Sequence, residues 1–264
     1  MRTLGLGLAS TGGSTGICEI DWESRTSFVE VGKFDDGLIA SRVKDVQADG
    51  GWTAIDAPFG FPAAFSRAVS DWFNRGTVMA DSDHDIRRRI SDAYVATRQA
   101  ELKSGALPGG WNPWPLSSVV DLITPSVIRC ARILTAVHGG QPVDRIGLNS
   151  RVVEAYPVAT LRVWGVATQK YKSTASDCDL IFENLCGRAG VRRPELRGKL
   201  ATGCDDDAVD AFVCALLART VALSGGATGP ARVEKPSLEL PVIETEGWIH
   251  LPPPGHRLED LAGE

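Results

Sequence analysis

The chain has 264 residues, 28 Lys+Arg against 33 Asp+Glu, 43% apolar residues and 7% aromatics. That length suits one large domain or a core with an insertion, at about 100–200 residues per domain, and it can bury a core without disulfides or metals. The net charge of −5 argues against a protein that coats nucleic acid by bulk positive charge, while leaving room for a local basic groove. No window approaches 18 uninterrupted apolar residues, which excludes a membrane span. The six cysteines (18, 130, 178, 186, 204 and 214) contain no CxxC pair, so spacing gives zinc no support. With a charged, glycine-rich N-terminus unlike a secretory signal, they predict a reducing cytoplasm.

Residues 3–9 alternate Leu4, Leu6 and Leu8 with glycines and predict a strand. A turn over 10–16 (STGGSTG) follows, then strands over 17–20 and 27–31, which together make an antiparallel meander. Leu38, Ile39, Val43 and Val46 predict a helix over 36–48, capped by Asp35 or Asp36. Residues 52–56 (WTAID) form a short strand ending in a carboxylate. Between about 57 and 145, helical patterns at 63–73, 86–103 and 117–137 alternate with Gly/Pro loops, above all 105–115, and suggest a helical insertion. A strand over 151–154 (RVVE) and helices over 176–189 and 206–223 follow. From about 225 to 264 the chain is a Gly/Pro-rich tail with one ordered piece, 246–251 (EGWIHL). The whole is a single α/β domain, a mixed sheet of three antiparallel then parallel strands with flanking helices. Sites in such sheets form beyond the carboxyl ends of the parallel strands.

Four acids stand where a site would form. Asp56 and Glu154 end strands; Asp207 and Asp210 lie three apart at a helix start, on one face. Converging carboxylates without His or Cys suit Mg²⁺ or Mn²⁺, and two such ions about 3.5–4 Å apart can drive phosphodiester cleavage. Each acid also has a structural reading. Asp205, Asp206 and Asp207 fall where a helix takes its cap and first-turn acids, and Asp210, among apolar neighbours, needs a partner such as an arginine. Asp56 before Ala57-Pro58 could hold a turn, and Glu154 could pair with a base.

Arg87-Arg88-Arg89 and the 188–199 stretch (Arg188, Arg192, Arg193, Arg197 and Lys199 against Glu195) are the basic features. They suit phosphate contacts or a solvated face. Trp111 and Trp114 could stack on bases or pin their loop. The 10–16 turn lacks a P-loop's Gly-Lys-Ser/Thr and leads into a strand, so it is neither a P-loop nor a Rossmann fingerprint. It does suit the nucleotide hairpin of actin-like sugar kinases, although these usually carry two copies of the core.

The glycine-rich opening, IDAPFGFP (55–62), RRISD (88–92), VEAYP (153–157) with Tyr171-Lys172, DDAVDA (206–211) and EGWI (246–249) occur in this order. As a set spanning nearly the whole chain, they resemble the family known as domain of unknown function 429, regarded as ribonuclease H-like nucleases. The resemblance implies a ribonuclease H-like fold and a Mg²⁺- or Mn²⁺-dependent nuclease. Asp56, Asp207 and Asp210 would hold metal, Glu154 would line the site, and Arg88, Arg89, Arg192, Arg193 and Lys172 would meet nucleic acid. The chain departs from the pattern at Gly7, where the family usually has a first-strand aspartate that bridges both ions. Two alternatives follow: a catalytically inactive nucleic-acid-binding or regulatory protein, and an actin-like ATP-dependent phosphotransferase.

Overall fold

In the computed structural model, residues 1–10, 14–78, 82–102, 112–119, 123–166, 175–198, 205–230 and 236–263 are described. The chain opens with an antiparallel meander, β1 (Arg2–Gly7), β2 (Thr15–Asp21) and β3 (Thr26–Gly32). Helix α1 (Asp36–Ala48) then leads to β4 (Trp52–Ile55), parallel to β1. Helices α2 (Ala63–Arg75), α3 (Asp83–Arg87), α4 (Ile90–Glu101) and α5 (Thr124–Val137) precede β5 (Val152–Ala155). They are followed by α6 (Pro157–Val163), α7 (Ala175–Ala189), β6 (Glu195–Gly198), α8 (Asp206–Leu223), α9 (Pro236–Glu246) and β7 (Ile249–His250). Among the described residues the strands form one sheet in the order β6-β3-β2-β1-β4-β5-β7. The meander is antiparallel, and β4, β5, β7 and β6 join it by parallel pairing.

Strand alternation divides the sheet into two unlike faces. Leu4, Leu6, Ile17, Ile55 and Val152 point to one side, where Ile39 and Val43 of α1 and Ile133 and Leu134 of α5 cover them. Helix α5 thus flanks the core, although it falls within the expected insertion. On the other side, Cys18 and Val29 pack under Phe212 and Leu216 of α8, while Ala54 and Val153 meet Cys214 and Leu217. Helix α8 is buried on every side from Ala208 to Val221, as an apolar-all-round helix must be. Its first turns lie on bare strand backbone. A Cβ at Gly5 or Gly16 would run into the Ala211 or Asp207 carbonyl, and one at Gly7 would stand 2.9 Å from the Asp207 oxygen.

Several boundaries differ from expectation. The helix expected over 86–103 is broken at Arg88 and Arg89, both extended, because the Arg89 guanidinium is drawn inward to Asp92 and Glu154. The helix expected over 117–137 begins at Thr124, with proline in its first turn, where a missing N–H costs nothing. Helices α6 and α9 and strand β6 arise where sequence patterning placed none. Strand β6 extends the sheet edge by pairing with β3. Among the described residues, no helix is long and apolar enough to cross a membrane.

Candidate functional site

Asp56 continues the β1–β4 ladder, its N–H donating to the Leu6 carbonyl at 2.8 Å. Since Ile55 faces α1 and α5, alternation turns Asp56 toward α8. Asp210, 5% exposed, lies on the first turns of α8, and a Cβ at Gly7 would stand 3.4 Å from its Cβ. The Cys214 thiol registers both acids: burial first, then the charges of Asp56 and Asp210, push its pKa up. Asp207 accepts a short hydrogen bond from the Ser14 hydroxyl, which comes from the loop between β1 and β2. Burial raises the Asp207 pKa against that bond, and Asp205, Asp206 and Asp210 add repulsion. Asp205 is the helix cap, accepting from the Ala208 N–H at 2.9 Å, as its position predicts.

Asp56, Asp207 and Asp210 therefore share a face at the carboxyl edge of the parallel strands. Even so, among the described residues no group of three or more His, Cys, Asp or Glu side chains is arranged to hold a metal ion. The two-metal arrangement implied by the family resemblance does not fit these residues. The first-strand position is glycine, and a Cβ there would crowd the backbone of α8, 2.9 Å from the Asp207 carbonyl oxygen.

Glu154 does not join this group. It shares the sheet face of Val152, whereas its neighbours Val153 and Ala155 face α8. Its two oxygens accept from Arg89 at 2.8 and 2.7 Å, and one of them also from the Phe59 N–H at 2.8 Å. Arg89 holds Asp92 at 3.0 Å as well. Burial opposes the charge on Arg89, but Asp92 and Glu154 outweigh it and raise its pKa. At Glu154 burial pushes the carboxyl upward while Arg89 and the Phe59 N–H pull it down. The bidentate geometry keeps the pair charged. Arg89, expected to grip phosphate, is thus 2% exposed and committed to a buried ion pair.

Glu246 completes the network, its carboxylate accepting from the N–H of Ala63 at 2.7 Å and of Ile90 at 2.8 Å. One acid thereby serves the starts of both α2 and α4. Glycines let these segments meet: a Cβ at Gly60 would stand 2.7 Å from the Glu246 carbonyl, and Gly247 has φ of 88°. Four of the quoted motifs, IDAPFGFP, RRISD, VEAYP and EGWI, thus share one buried polar knot.

The basic strip over 188–199 is largely balanced where it stands. Arg188 pairs with Glu259, Arg193 with Asp179 and Glu183, and Arg197 with Glu195, while Arg192 is exposed. Lys172, Tyr171, Trp111 and Lys199 lie outside the described residues, as do residues 11–13 of the glycine-rich turn. Arg88 lines a cleft of about 380 Å³ together with Asp83, His84, Arg87 and Trp114. A second cleft of about 360 Å³ lies between Phe59, Phe61, Val127 and Arg145. Neither contains the acids on α8.

Sequence reasoning missed Arg129 of α5. It is 3% exposed, and it donates to Asp36 at 2.9 Å and to the carbonyls of Ala9 and Phe34 at 2.8 and 2.7 Å. A further bond reaches the Thr15 hydroxyl at 2.9 Å, so Arg129 grips both ends of the turn that presents Ser14. Its signal in the sequence is one of two arginines, Arg129 and Arg132, in an otherwise uncharged helical run, and a buried charge is obliged to find partners.

No curated protein and no solved structure matches the chain. Over residues 124–235, which include Glu154, Asp207 and Asp210 but neither Gly7 nor Asp56, the chain matches the family described as Protein of unknown function (DUF429).

Proposed function

We propose that the chain is a ribonuclease H-like protein that binds nucleic acid without cutting it by a two-metal route. The ribonuclease H-like reading is supported by the three-stranded meander, with parallel strands added beside β1. One observation carries the loss of two-metal chemistry. The first strand has glycine at position 7, and a Cβ there would stand 2.9 Å from the Asp207 carbonyl oxygen, whereas two-metal hydrolysis needs a symmetric clamp on attacking and leaving oxygens. What remains is a desolvated acidic edge at Asp207, held by Ser14, with Arg129 fixing the turn that delivers that serine. Because the net charge is −5, nucleic-acid affinity rests on local basic groups rather than on the overall field.

A second reading, phosphodiester hydrolysis through a single Mg²⁺ or Mn²⁺, is favoured by the shared face of Asp56 and Asp210. Mg²⁺ needs only one or two carboxylates when substrate phosphates complete its shell. Fluorescence anisotropy with labelled single-stranded, duplex and branched oligonucleotides, in EDTA and in Mn²⁺, separates the two when cleavage is followed on denaturing gels. Binding that persists in EDTA, with intact oligonucleotides in Mn²⁺, is expected. Metal-dependent cleavage that Asp210→Asn abolishes would overturn the first reading and establish the second.

A further inference from the structure

We infer that the cleft between α3 and Trp114 is a binding site for single-stranded nucleic acid, taking a backbone phosphate and the adjoining base; this rests on the nucleic-acid-binding reading above. The cleft combines cations, an aromatic ring and one acid. The Arg88 guanidinium carbon lies 5.2 Å from the centre of the Trp114 ring, and the His84 ring meets that ring edge-on at 5.3 Å. Arg88 also donates to the Pro115 carbonyl, which fixes the loop carrying Trp114, and the Ser117 hydroxyl bonds the Arg87 carbonyl at 2.8 Å. The walls are therefore tied to each other before any ligand arrives. Arg87 is exposed, and among the described residues no ion pair engages it. A volume of about 380 Å³ is within the range of small-ligand pockets.

The chemistry favours a nucleotide unit over a bare anion. An exposed arginine supplies the phosphate contact, and the half-buried indole offers a surface on which any base can stack. Asp83 can accept from an exocyclic amino group. The neighbouring surface extends the same character, since α2 packs against α3 and leaves Trp72 60% and Phe73 82% exposed. Two large aromatics held in solvent on the helix that packs against α3 suit further bases of an unpaired strand. A duplex, whose bases are stacked on each other, cannot use them.

The test is anisotropy with fluorescein-labelled 12-nucleotide DNA and RNA over a range of salt, on the parent, Trp114→Ala, Arg87→Ala and Trp72→Ala/Phe73→Ala, each checked for an unchanged melting profile. Single strands are expected to bind more tightly than duplexes. Trp114→Ala should weaken single-strand binding about 5- to 150-fold. Arg87→Ala should weaken it across all sequences and reduce the salt slope by about one. A parent that binds nucleic acid with affinity unchanged in all three variants would overturn the assignment of this site alone. A parent that binds no nucleic acid would overturn the functional reading beneath it. Concentration-dependent self-association that Trp72→Ala/Phe73→Ala abolishes, without effect on oligonucleotide affinity, would assign the aromatics to a second copy of the chain and overturn their place in the site.

Discussion

The carbonyl oxygen of Asp207 stands 2.9 Å from the point where a Cβ on Gly7 would sit. Glycine at this position is therefore a packing requirement of α8 as well as a departure from an acidic pattern. Substituting Gly7→Ala or Gly7→Asp must push the helix off the strand, at a cost of about 1–3 kcal/mol for an overpacked contact. Urea denaturation should show both variants destabilised, with Gly7→Asp gaining no cleavage in Mn²⁺. A Gly7→Asp protein as stable as the parent and newly able to cut nucleic acid would mean that the helix yields freely and that only the acid was missing.

Glu154 gives a contrasting case. With Arg89 and the Phe59 N–H on its oxygens, replacement by Gln leaves a buried guanidinium with a poorer partner. Breaking a buried pair by changing one member typically costs about 3–5 kcal/mol. Chemical denaturation of Glu154→Gln should show a loss near that size. A loss within about 0.5 kcal/mol, usual for surface positions, would show that the charge on Glu154 adds little net stability to the buried network.

Asp207 should behave in the opposite sense. Its carboxyl is held above the ordinary value mainly by burial, with its acidic neighbours adding to the shift. A raised folded pKa stabilises the native state only while the group is protonated, and that contribution is lost as pH rises through the folded value. Asp207→Asn avoids the loss while keeping an acceptor for Ser14. Its melting temperature should exceed the parent's at pH 7 and converge with it toward pH 4. Equal melting temperatures at both values would show that the charged form sits there without strain.

The buried imidazole of His250 sets a second pH dependence. One ring nitrogen lies 2.9 Å from the Thr228 hydroxyl and the other 2.7 Å from the Ile146 carbonyl, an arrangement served by the neutral ring. Burial lowers its pKa to about 4. The unfolded chain, with an ordinary histidine value near 6.5, binds the extra proton between those limits. Stability should therefore fall as pH drops from about 6.5 to about 4, by about 3 kcal/mol from this residue. Urea midpoints for the parent and His250→Gln across that range measure it. An equal slope in both would assign the acid sensitivity elsewhere.

Local patterning made some elements plain. Helix α1 spans the expected residues because Asp35 caps it and Ile39, Val43 and Val46 fall on one buried stripe. Helix α8 was equally legible from its acidic start and apolar body. What stayed hidden depends on distant partners. The break at Arg88 and Arg89 answers to Glu154, 65 residues away, and no helical periodicity carries that information. Strand β6 is four residues with one aliphatic side chain, and it becomes a strand through the free edge of β3. Asp56 and Glu154 look alike in sequence, each at a strand end. Only the register of β4 against β5, with Ile55 beside Glu154, and the helices above each face set them on different sides.

The carboxylate of Glu246 serves helix starts 183 and 156 residues before it. As the chain leaves the ribosome, α2 and α4 are complete long before the acceptor for their first amides has been made. Both must wait, their ends open to water, for a residue translated much later. Removing the chain from α9 onward would return them to that state together, loosening two helices whose own sequences remain intact.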